Sequence, residues 1–181
     1  GLRCAAGTSS KRLQEMVAVA TKWIGDLKER TVDVKLVVAT NEDLRRSDLD
    51  RDKVMATVVR LMCRAYFRAG SERYAVDNRT FGICTLSKRH VRVEGNNLVF
   101  RYVGKQRKDQ RQVVAETPLV EIIEELMEQP GRRLFRYRSP RDRRRFHPVT
   151  ASGVNRYLRE VLGERCTSKD LRTFGGTVRA A

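Results

Sequence analysis

The sequence is poor in the residues that bind metal ions. It has only two histidines, His90 and His147, and its four cysteines are widely scattered without a C-x-x-C pair. A zinc ribbon needs such pairs, and two isolated imidazoles are too few for a histidine-based site. We therefore expect no metal. Cys63 and Cys84 lie in apolar runs, so we expect small core residues in a reducing, intracellular location.

Long hydrophobic runs and clustered aromatic residues are also absent. No stretch approaches the length of a membrane-spanning helix, and residues 1–30 contain no apolar segment typical of a signal peptide. Aromatic residues make up 7% of the chain and do not alternate with the basic residues. That alternation would favour single-stranded nucleic acid, where bases stack on aromatic rings. We expect no membrane partner, and duplex DNA is favoured over single strands.

Acidic residues are too few to balance the basic ones. The chain carries 38 Lys and Arg against 22 Asp and Glu, a formal net charge of +16. Hydrophobic residues make up 40%, enough for a folded domain with a buried core. A folded domain with a positive field of this size points to a polyanionic partner, first of all nucleic acid.

The apolar spacing predicts a mainly helical chain. A helix near Asp50 should run to about Phe67, with Gly70 ending it. Residues 31–48 are mixed in character. The other predicted helices are one capped by Ser9 or Ser10 and running to Leu27, one capped by Thr117 with Pro118 at its first position, one capped by Thr150 and ended by Gly163, and one starting near Thr167 or Ser168.

Between residues 81 and 115 the periodicity changes from helix to strand. Short strands are predicted at Phe81–Leu86, His90–Val93 and Leu98–Val103, with a hairpin turn at 95–97 and a return strand at 112–115. The arginine-rich segment 132–145 is predicted to be a loop. The predicted class is α+β, mainly α, with a small antiparallel three-stranded sheet.

Four cations stand out by their order along the chain. Arg68 follows the second helix, Lys105 lies at a strand tip, and Lys169 and Arg172 are one helical turn apart in Lys169-Asp170-Leu171-Arg172-Thr173. Positions i and i+3 share a helix face, so the last pair suits a phosphate. Each cation alone is typical of a solvated helix end or turn. Only the ordered set favours a site.

This set closely resembles the type IB DNA topoisomerases, whose signature reads KD-(F/L)-R-T. Flanking segments fit as well: Phe81-Gly82-Ile83-Cys84-Thr85-Leu86, followed by His90-Val91, is similar to the strand pair of that family, and His147-Pro148-Val149-Thr150 resembles its small bacterial and poxvirus-like members. The resemblance spans roughly residues 48–178. It implies the helical catalytic domain shared by topoisomerases IB and tyrosine recombinases.

The resemblance implies a role for each cation. Such enzymes attack a DNA phosphodiester with a tyrosine, forming a 3′-phosphotyrosyl link and freeing a 5′-hydroxyl. Arg68 and Arg172 would hold the non-bridging oxygens, and Lys105 would protonate the leaving 5′-oxygen. Lys169 would assist proton transfer or phosphate binding. The bond energy is kept in the covalent intermediate, so neither a metal nor a nucleotide cofactor is implied.

Further residues are predicted to touch DNA. Tyr74, after Arg73, matches a position where small members of the family contact DNA, although a packing tyrosine fits equally well. Arg101, Arg107, Lys108 and Arg111 could follow the phosphate backbone, as could the arginine-rich segment. His90 and His147 match no catalytic position and are predicted to be structural or surface residues.

No tyrosine matches the nucleophile, which in the family lies well after the K-x-x-R helix. All five tyrosines precede that helix. We therefore expect residues 1–181 to be the N-terminal two-thirds of a topoisomerase IB catalytic domain, truncated before the nucleophile and inactive alone. We also expect a monomer located with DNA, in the nucleoid of the cytoplasm if the source is bacterial.

Two alternatives remain open. A tyrosine recombinase or integrase relative would carry histidine where this chain has Lys169, and would exchange strands between specific sites. A non-catalytic duplex-DNA-binding module would keep the fold without the chemistry. A tyrosine downstream of the K-x-x-R helix, after a histidine or asparagine, would favour the enzyme over the module.

Overall fold

The computed structural model describes residues 31–162 and 166–171. The predicted helix at residues 9–27 and its caps lie outside this range, as does Gly163. The helices are α1 (Thr31–Leu44), α2 (Arg51–Ala65), α3 (Glu72–Asp77), α4 (Thr117–Glu128) and α5 (Ala151–Leu162). The strands are β1 (Val91–Glu94), β2 (Asn97–Val103), β3 (Asp109–Ala115), β4 (Arg136–Arg138) and β5 (Phe146–Pro148). Short 3-10 helices lie at Ile83–Thr85, Lys88–His90 and Lys105–Arg107.

Helix α2 is the centre of the fold. Asp50 caps it by accepting a hydrogen bond from the Lys53 N–H at 2.9 Å, and every residue from Lys53 to Met62 is buried. The helix ends at Ala65 because Tyr66 adopts a left-handed conformation (φ 54°) and bonds to the Met62 carbonyl. The prediction that Gly70 ends this helix was therefore wrong, since Tyr66 is the cap.

The three-stranded antiparallel sheet was predicted correctly. Its order is β1-β2-β3, and Glu94 pairs with Asn97 across the predicted turn. Alternate β2 residues, Leu98, Phe100 and Tyr102, are buried in the core, while Arg101 between them is exposed. One face of the sheet is therefore covered by the core. On the other face Arg92, Arg101, Arg111 and Val113 are exposed, although Val99 among them is buried. Strand β3 starts at Asp109, earlier than the predicted residue 112.

Three other segments differ from the sequence prediction. Phe81–Leu86 is not a strand: its Ile83 and Cys84 N–H groups bond to the carbonyls of Arg68 and Ala69, and a 3-10 turn follows. Residues 31–44 form helix α1, and the arginine-rich segment contains the β4–β5 hairpin. The residue before α4 is Glu116 and not the predicted cap Thr117. The Glu116 carbonyl accepts from the Leu119 and Val120 N–H groups, and its side chain makes no capping bond.

Helix α5 closes the core against α1 and α2. Thr150 caps it as predicted, because its Oγ1 accepts from the Gly153 N–H at 3.1 Å. The Tyr157 hydroxyl donates to Asp43 on α1 at 2.5 Å, which ties α5 to the first described helix. The class is mainly α with one small antiparallel sheet, as predicted.

Candidate active site

Arg68 directly follows Phe67, a residue that is buried in the core. Phe67 is fully buried, with its ring edge-to-face with Phe100 at 5.0 Å between centroids and stacked on Tyr102 at 5.9 Å. The Arg68 carbonyl accepts from the Ile83 N–H at 2.8 Å. The backbone of Arg68 is thus held on two sides, while its side chain is exposed. A fixed backbone with a free guanidinium suits a group that must meet a phosphate in one geometry.

A close backbone crossing sets the position of this segment. A Cβ atom on Gly82 would lie 2.5 Å from the Arg68 carbonyl oxygen and from the Gly70 nitrogen, and Gly70 has φ +78°. Only glycine allows both the approach and the left-handed backbone. The segment carrying Arg68 therefore lies directly against the one that starts the 3-10 helix Ile83–Thr85.

Lys105 lies at the tip of the β2–β3 hairpin. The Gly104 N–H bonds to the Lys108 carbonyl at 2.8 Å, and Gln106 and Arg107 both have positive φ, 63° and 56°. This tight turn leaves Lys105, Arg107 and Lys108 exposed. The base of the hairpin is fixed to the preceding segment by the bond from the Phe81 N–H to the Val103 carbonyl at 2.8 Å.

Arg68 and Lys105 line the same concave surface, which we call the cleft. Its main part encloses about 590 Å³, and an adjoining hollow of about 310 Å³ is lined by both cations as well. Lining residues of the main part also include Gly70, Ser71, Tyr74, Asn78, Thr80, Phe81, Gln106 and Arg107. Among the described residues, no carboxylate lies within ion-pair distance of Arg68 or Lys105. Both charges are available to a ligand.

Helix α3 forms one wall of the cleft. Its Tyr74 is 59% exposed, so it is a surface residue at the cleft and not a packing tyrosine. Arg73 is exposed and lies 3.5 Å from Asp77. Glu72 at the start of this helix pairs with Arg133, which also donates to the Cys84 carbonyl at 3.4 Å. The helix is thereby attached to the segment beneath it.

Tyr102 lies beneath the cleft and is unsuited to act as a nucleophile. Burial raises the pKa of its hydroxyl to about 12, although Gln112 and the Arg68 charge oppose that shift. The side chain is buried, so an incoming phosphate has little access to the hydroxyl, and the raised pKa makes the phenolate harder to form. Tyr157 is buried too, and burial together with its bond to Asp43 raises its pKa further. The structure agrees with the sequence in offering neither residue for attack on a phosphate.

Lys169 lies on the helical turn 168–171, where the predicted helix starts. Asp170 caps this turn by accepting from the Thr167 N–H at 2.9 Å and from its hydroxyl at 2.5 Å. These bonds, with the nearby Lys169 charge, lower the pKa of the Asp170 carboxyl. Lys169 is exposed and is not among the residues that line the cleft. Arg172 lies outside the described residues, so the joint role of the pair stays a prediction.

The predicted DNA contacts divide between two surfaces. Arg107 lines the cleft and Lys108 its adjoining hollow, whereas Arg101 lines a second, larger concavity beside them. Arg79 and Arg89, which also line that concavity, were missed from the sequence because they lie outside the strands and match no motif. The alternation of β2 could have indicated the surface, since it directs Arg101 away from the core.

The histidines and cysteines have structural surroundings. His90 is buried, its Nδ1 accepts from the Ser87 N–H at 3.1 Å, and its ring lies 4.5 Å from that of Phe81. Cys84 is buried, and burial raises the pKa of its thiol to about 12. Across residues 31–162 and 166–171, no group of three or more potential metal ligands occurs. In the same part of the chain, no helix combines the length and apolar character that a membrane crossing requires.

Comparison with known proteins gives one family and several relatives. The family described as the catalytic core of eukaryotic DNA topoisomerase I matches residues 24–181. DNA topoisomerase 1B of Acanthamoeba polyphaga mimivirus is 28% identical over 131 residues, which cover 71% of this chain and 39% of that protein. DNA topoisomerase I of monkeypox virus is 24% identical over 140 residues, 75% of this chain and 40% of the relative. The chain thus spans about two fifths of the length of these curated relatives.

Proposed function

Because the chain belongs to the topoisomerase I catalytic-core family, we propose that it supplies part of the active site of a type IB DNA topoisomerase. Such an enzyme nicks and reseals one strand of duplex DNA through a 3′-phosphotyrosyl intermediate and so relaxes supercoils. One observation carries the proposal: Arg68 and Lys105, from separate elements, line one cleft without carboxylate partners among the described residues.

Arg68 is proposed to bind a non-bridging oxygen of the scissile phosphate. A guanidinium offers two parallel N–H donors to such an oxygen pair, and its charge balances the negative charge that grows as the tyrosine attacks. The carbonyl bond to Ile83 and the Gly70–Gly82 contact fix the backbone that carries the guanidinium before DNA arrives. Arg172 is proposed as the second donor, and Lys169 as an auxiliary group.

Lys105 is proposed as the general acid. Its position at an exposed hairpin tip lets the ammonium enter a groove of the duplex, while the bonds at the base of the hairpin limit its movement. There it would give a proton to the 5′-oxygen as the phosphodiester bond breaks. The nucleophilic tyrosine would come from a segment that is not among the described residues.

Duplex DNA is the proposed partner, and a monomer located with the DNA of its cell is the proposed working form. The exposed cations at the hairpin tip, Arg107 and Lys108, and the residues Arg73 and Tyr74 on α3 are proposed to contact DNA around the cleft. Arginine and lysine at such positions fix the register of a duplex through its phosphates.

The proposal is tested with a DNA substrate whose leaving group needs no proton. The test uses a protein that contains this chain and a nucleophilic tyrosine, which we call the tyrosine-bearing protein. Lys105→Ala should cleave ordinary DNA about 10²–10⁴-fold more slowly than the unmodified protein. With sulfur in place of the 5′-bridging oxygen at the scissile position, the same variant should cleave nearly as fast as the unmodified protein, because a thiolate leaves without protonation.

Arg68→Ala is the matched control in this experiment. It should remain slow on both substrates, because its contacts are to non-bridging oxygens. Equal slowing of Lys105→Ala on both substrates would mean that Lys105 only positions DNA. Rescue of Lys169→Ala in its place would assign the acid to the other lysine.

A further inference from the structure

The open face of the three-stranded sheet carries a second basic surface. Arg101 on β2 pairs directly with Arg111 on β3, and both side chains are exposed. Arg92 on β1 lies in the neighbouring row of the same face, opposite Val99. Arg79 and Arg89 complete the rim of a concavity of about 1110 Å³. We call the concavity, the four arginines that line it and the neighbouring Arg92 the outer sheet surface.

These charges are not neutralised within the described part of the chain. No ion pair there involves Arg79, Arg92, Arg101 or Arg111, and Asp109 is the one acidic residue among those lining the concavity. Like charges directly opposite on neighbouring strands destabilise a sheet. The Arg101–Arg111 pair therefore destabilises the sheet unless an anion lies between the two side chains. A pair of this kind is better explained by anion binding than by a role in holding the sheet together.

The outer sheet surface is continuous with the cleft. Phe81 lines both, and Tyr102 and Gln110 line both the concavity and the hollow beside Lys105. Arg101 lies near the end of β2, which stops at Val103, and Lys105 follows in the hairpin turn. The two surfaces therefore border each other, and one duplex can contact both.

We propose that the outer sheet surface binds the phosphate backbone of the same duplex, beside the phosphate held by Arg68 and Lys105. The proposal rests on the function proposed for the cleft and extends it to a second anchoring point. Arg101 and Arg111 each neutralise a phosphate, and Arg79 and Arg89 follow the strand along the rim. The outer sheet surface, which we also call the anchor, fixes where the duplex lies and takes no part in the chemical step.

The test is the salt dependence of binding of the chain to a duplex of ~24 base pairs, just over two helical turns. Each lost phosphate contact lowers the slope of log K against log salt by about 0.9. Arg101→Ala/Arg111→Ala should therefore lose nearly two units of slope. The charge-matched control is Arg156→Ala/Arg159→Ala, two exposed arginines on α5, the helix that packs against α1 and α2. Its slope should change by less than one unit.

Thermal unfolding provides the folding control. The Arg101→Ala/Arg111→Ala midpoint should be unchanged or higher, because two opposed like charges are removed. An equal fall in slope for both pairs, or none for Arg101 and Arg111, would overturn the proposal. Two duplexes bound per chain, reduced to one by this double variant, would overturn it too, since the surface would then hold a second duplex.

The two proposals can fail separately. If sulfur does not rescue Lys105→Ala but the slope falls as expected, the chemistry assigned to the cleft is wrong and the anchor stands as a DNA-binding surface. If rescue is seen and the slope does not fall, the anchor alone is wrong. If the unmodified chain does not bind duplex DNA, both proposals are overturned.

Discussion

Arg60 and Arg68 belong to one chain segment, yet their charges are used in opposite ways. The Arg60 side chain on α2 is 10% exposed and pairs with Glu116 at 2.9 Å. Arg68, beyond the end of that helix, is exposed and has no ion pair among the described residues. Glu116, the residue directly before α4, also pairs with Arg64 at 2.9 Å. One arginine therefore joins two helices, and the other is left for a ligand.

The difference shows why a net charge of +16 does not by itself locate a binding site. Many arginines are engaged in the fold: Arg51 pairs with Glu160, Arg133 with Glu72, and Arg143 with Asp48. The cleft and the outer sheet surface differ from those places because they carry exposed cations, such as Arg68, Lys105, Arg101 and Arg111, that make no ion pair within the described part of the chain. The available charge, and not the total charge, favours DNA at these two surfaces.

The largest expected effect is on the rate of DNA cleavage when the exposed Arg68 is replaced. Arg68→Ala in the tyrosine-bearing protein should slow DNA cleavage by about 10²–10³-fold, because a donor to transition-state charge is lost. Duplex binding and the free energy of unfolding should be nearly unchanged, since the side chain is exposed and unpaired. Single-turnover cleavage with a parallel binding titration measures both. Cleavage at a near-normal rate would make Arg68 a solvated arginine.

The next largest effect is on stability, when the buried Arg60 loses its partner Glu116. Glu116→Gln should lower the free energy of unfolding by about 3 kcal/mol, because the buried Arg60 charge loses its partner and Arg60 Nη1 already lacks one. Urea unfolding measures it. Glu94→Gln, an exposed acid on β1, is the control and should change stability by less than ~0.5 kcal/mol. If both variants lose equally little unfolding free energy, the buried Arg60–Glu116 pair contributes no more to stability than an exposed acidic residue does.

The pH dependence of stability measures the field near the outer sheet surface. Burial, with the charges of Arg89 and Arg133, lowers the pKa of His90 to about 4. In the unfolded chain His90 should titrate near 6.5, so the unfolded state binds more protons between pH 6.5 and 4. Stability from this group is complete above pH 6.5 and falls on acidification, by about 2 kcal/mol at pH 5.

Substitution identifies the group responsible. His90→Asn keeps an acceptor for the Ser87 N–H and should flatten the stability profile between pH 6.5 and 4. The exposed His147→Asn should leave the profile as it is. Denaturant unfolding at a series of pH values provides the comparison. A steep profile that survives in His90→Asn would place the pH dependence in other groups.

The smallest effect is expected where an arginine is paired but exposed. Arg64 shares Glu116 with Arg60, but its side chain is 55% exposed. Arg64→Ala should therefore cost less than about 1 kcal/mol of unfolding free energy. A loss as large as that of Glu116→Gln would show that Glu116, Arg60 and Arg64 act as one network and that exposure does not separate them.

The sequence predicted the local features well. The start of α2 near Asp50, the cap at Thr150 and the β1–β2 hairpin all follow from signals within a few residues, and the structure contains each of them. Local hydrogen bonds and side-chain alternation decide these features, so a single sequence suffices.

Features that depend on distant segments were not predicted. Phe81–Leu86 has the apolar composition of a strand, but its N–H groups meet the carbonyls that follow α2 and not a neighbouring strand. Helix α4 starts after Glu116 and not at a Thr117 cap, and the Glu116 side chain pairs with Arg60 and Arg64, which are far away in sequence. The order of cations indicated Arg68 and Lys105, but only the packing of Phe67 and the hairpin base brings them to one cleft. For Lys169 and Arg172 the prediction stays untested.

The contact between Gly70 and Gly82 limits how this site can be redesigned. At this contact the two backbones touch and no side chain lies between them. A larger residue at Gly70 or Gly82 therefore cannot be compensated by a smaller residue on the other segment. A library that varies either position should return glycine alone among active members. Grafting the Arg68 segment onto another scaffold would likewise require both crossing segments, because neither holds the arginine in place without the other.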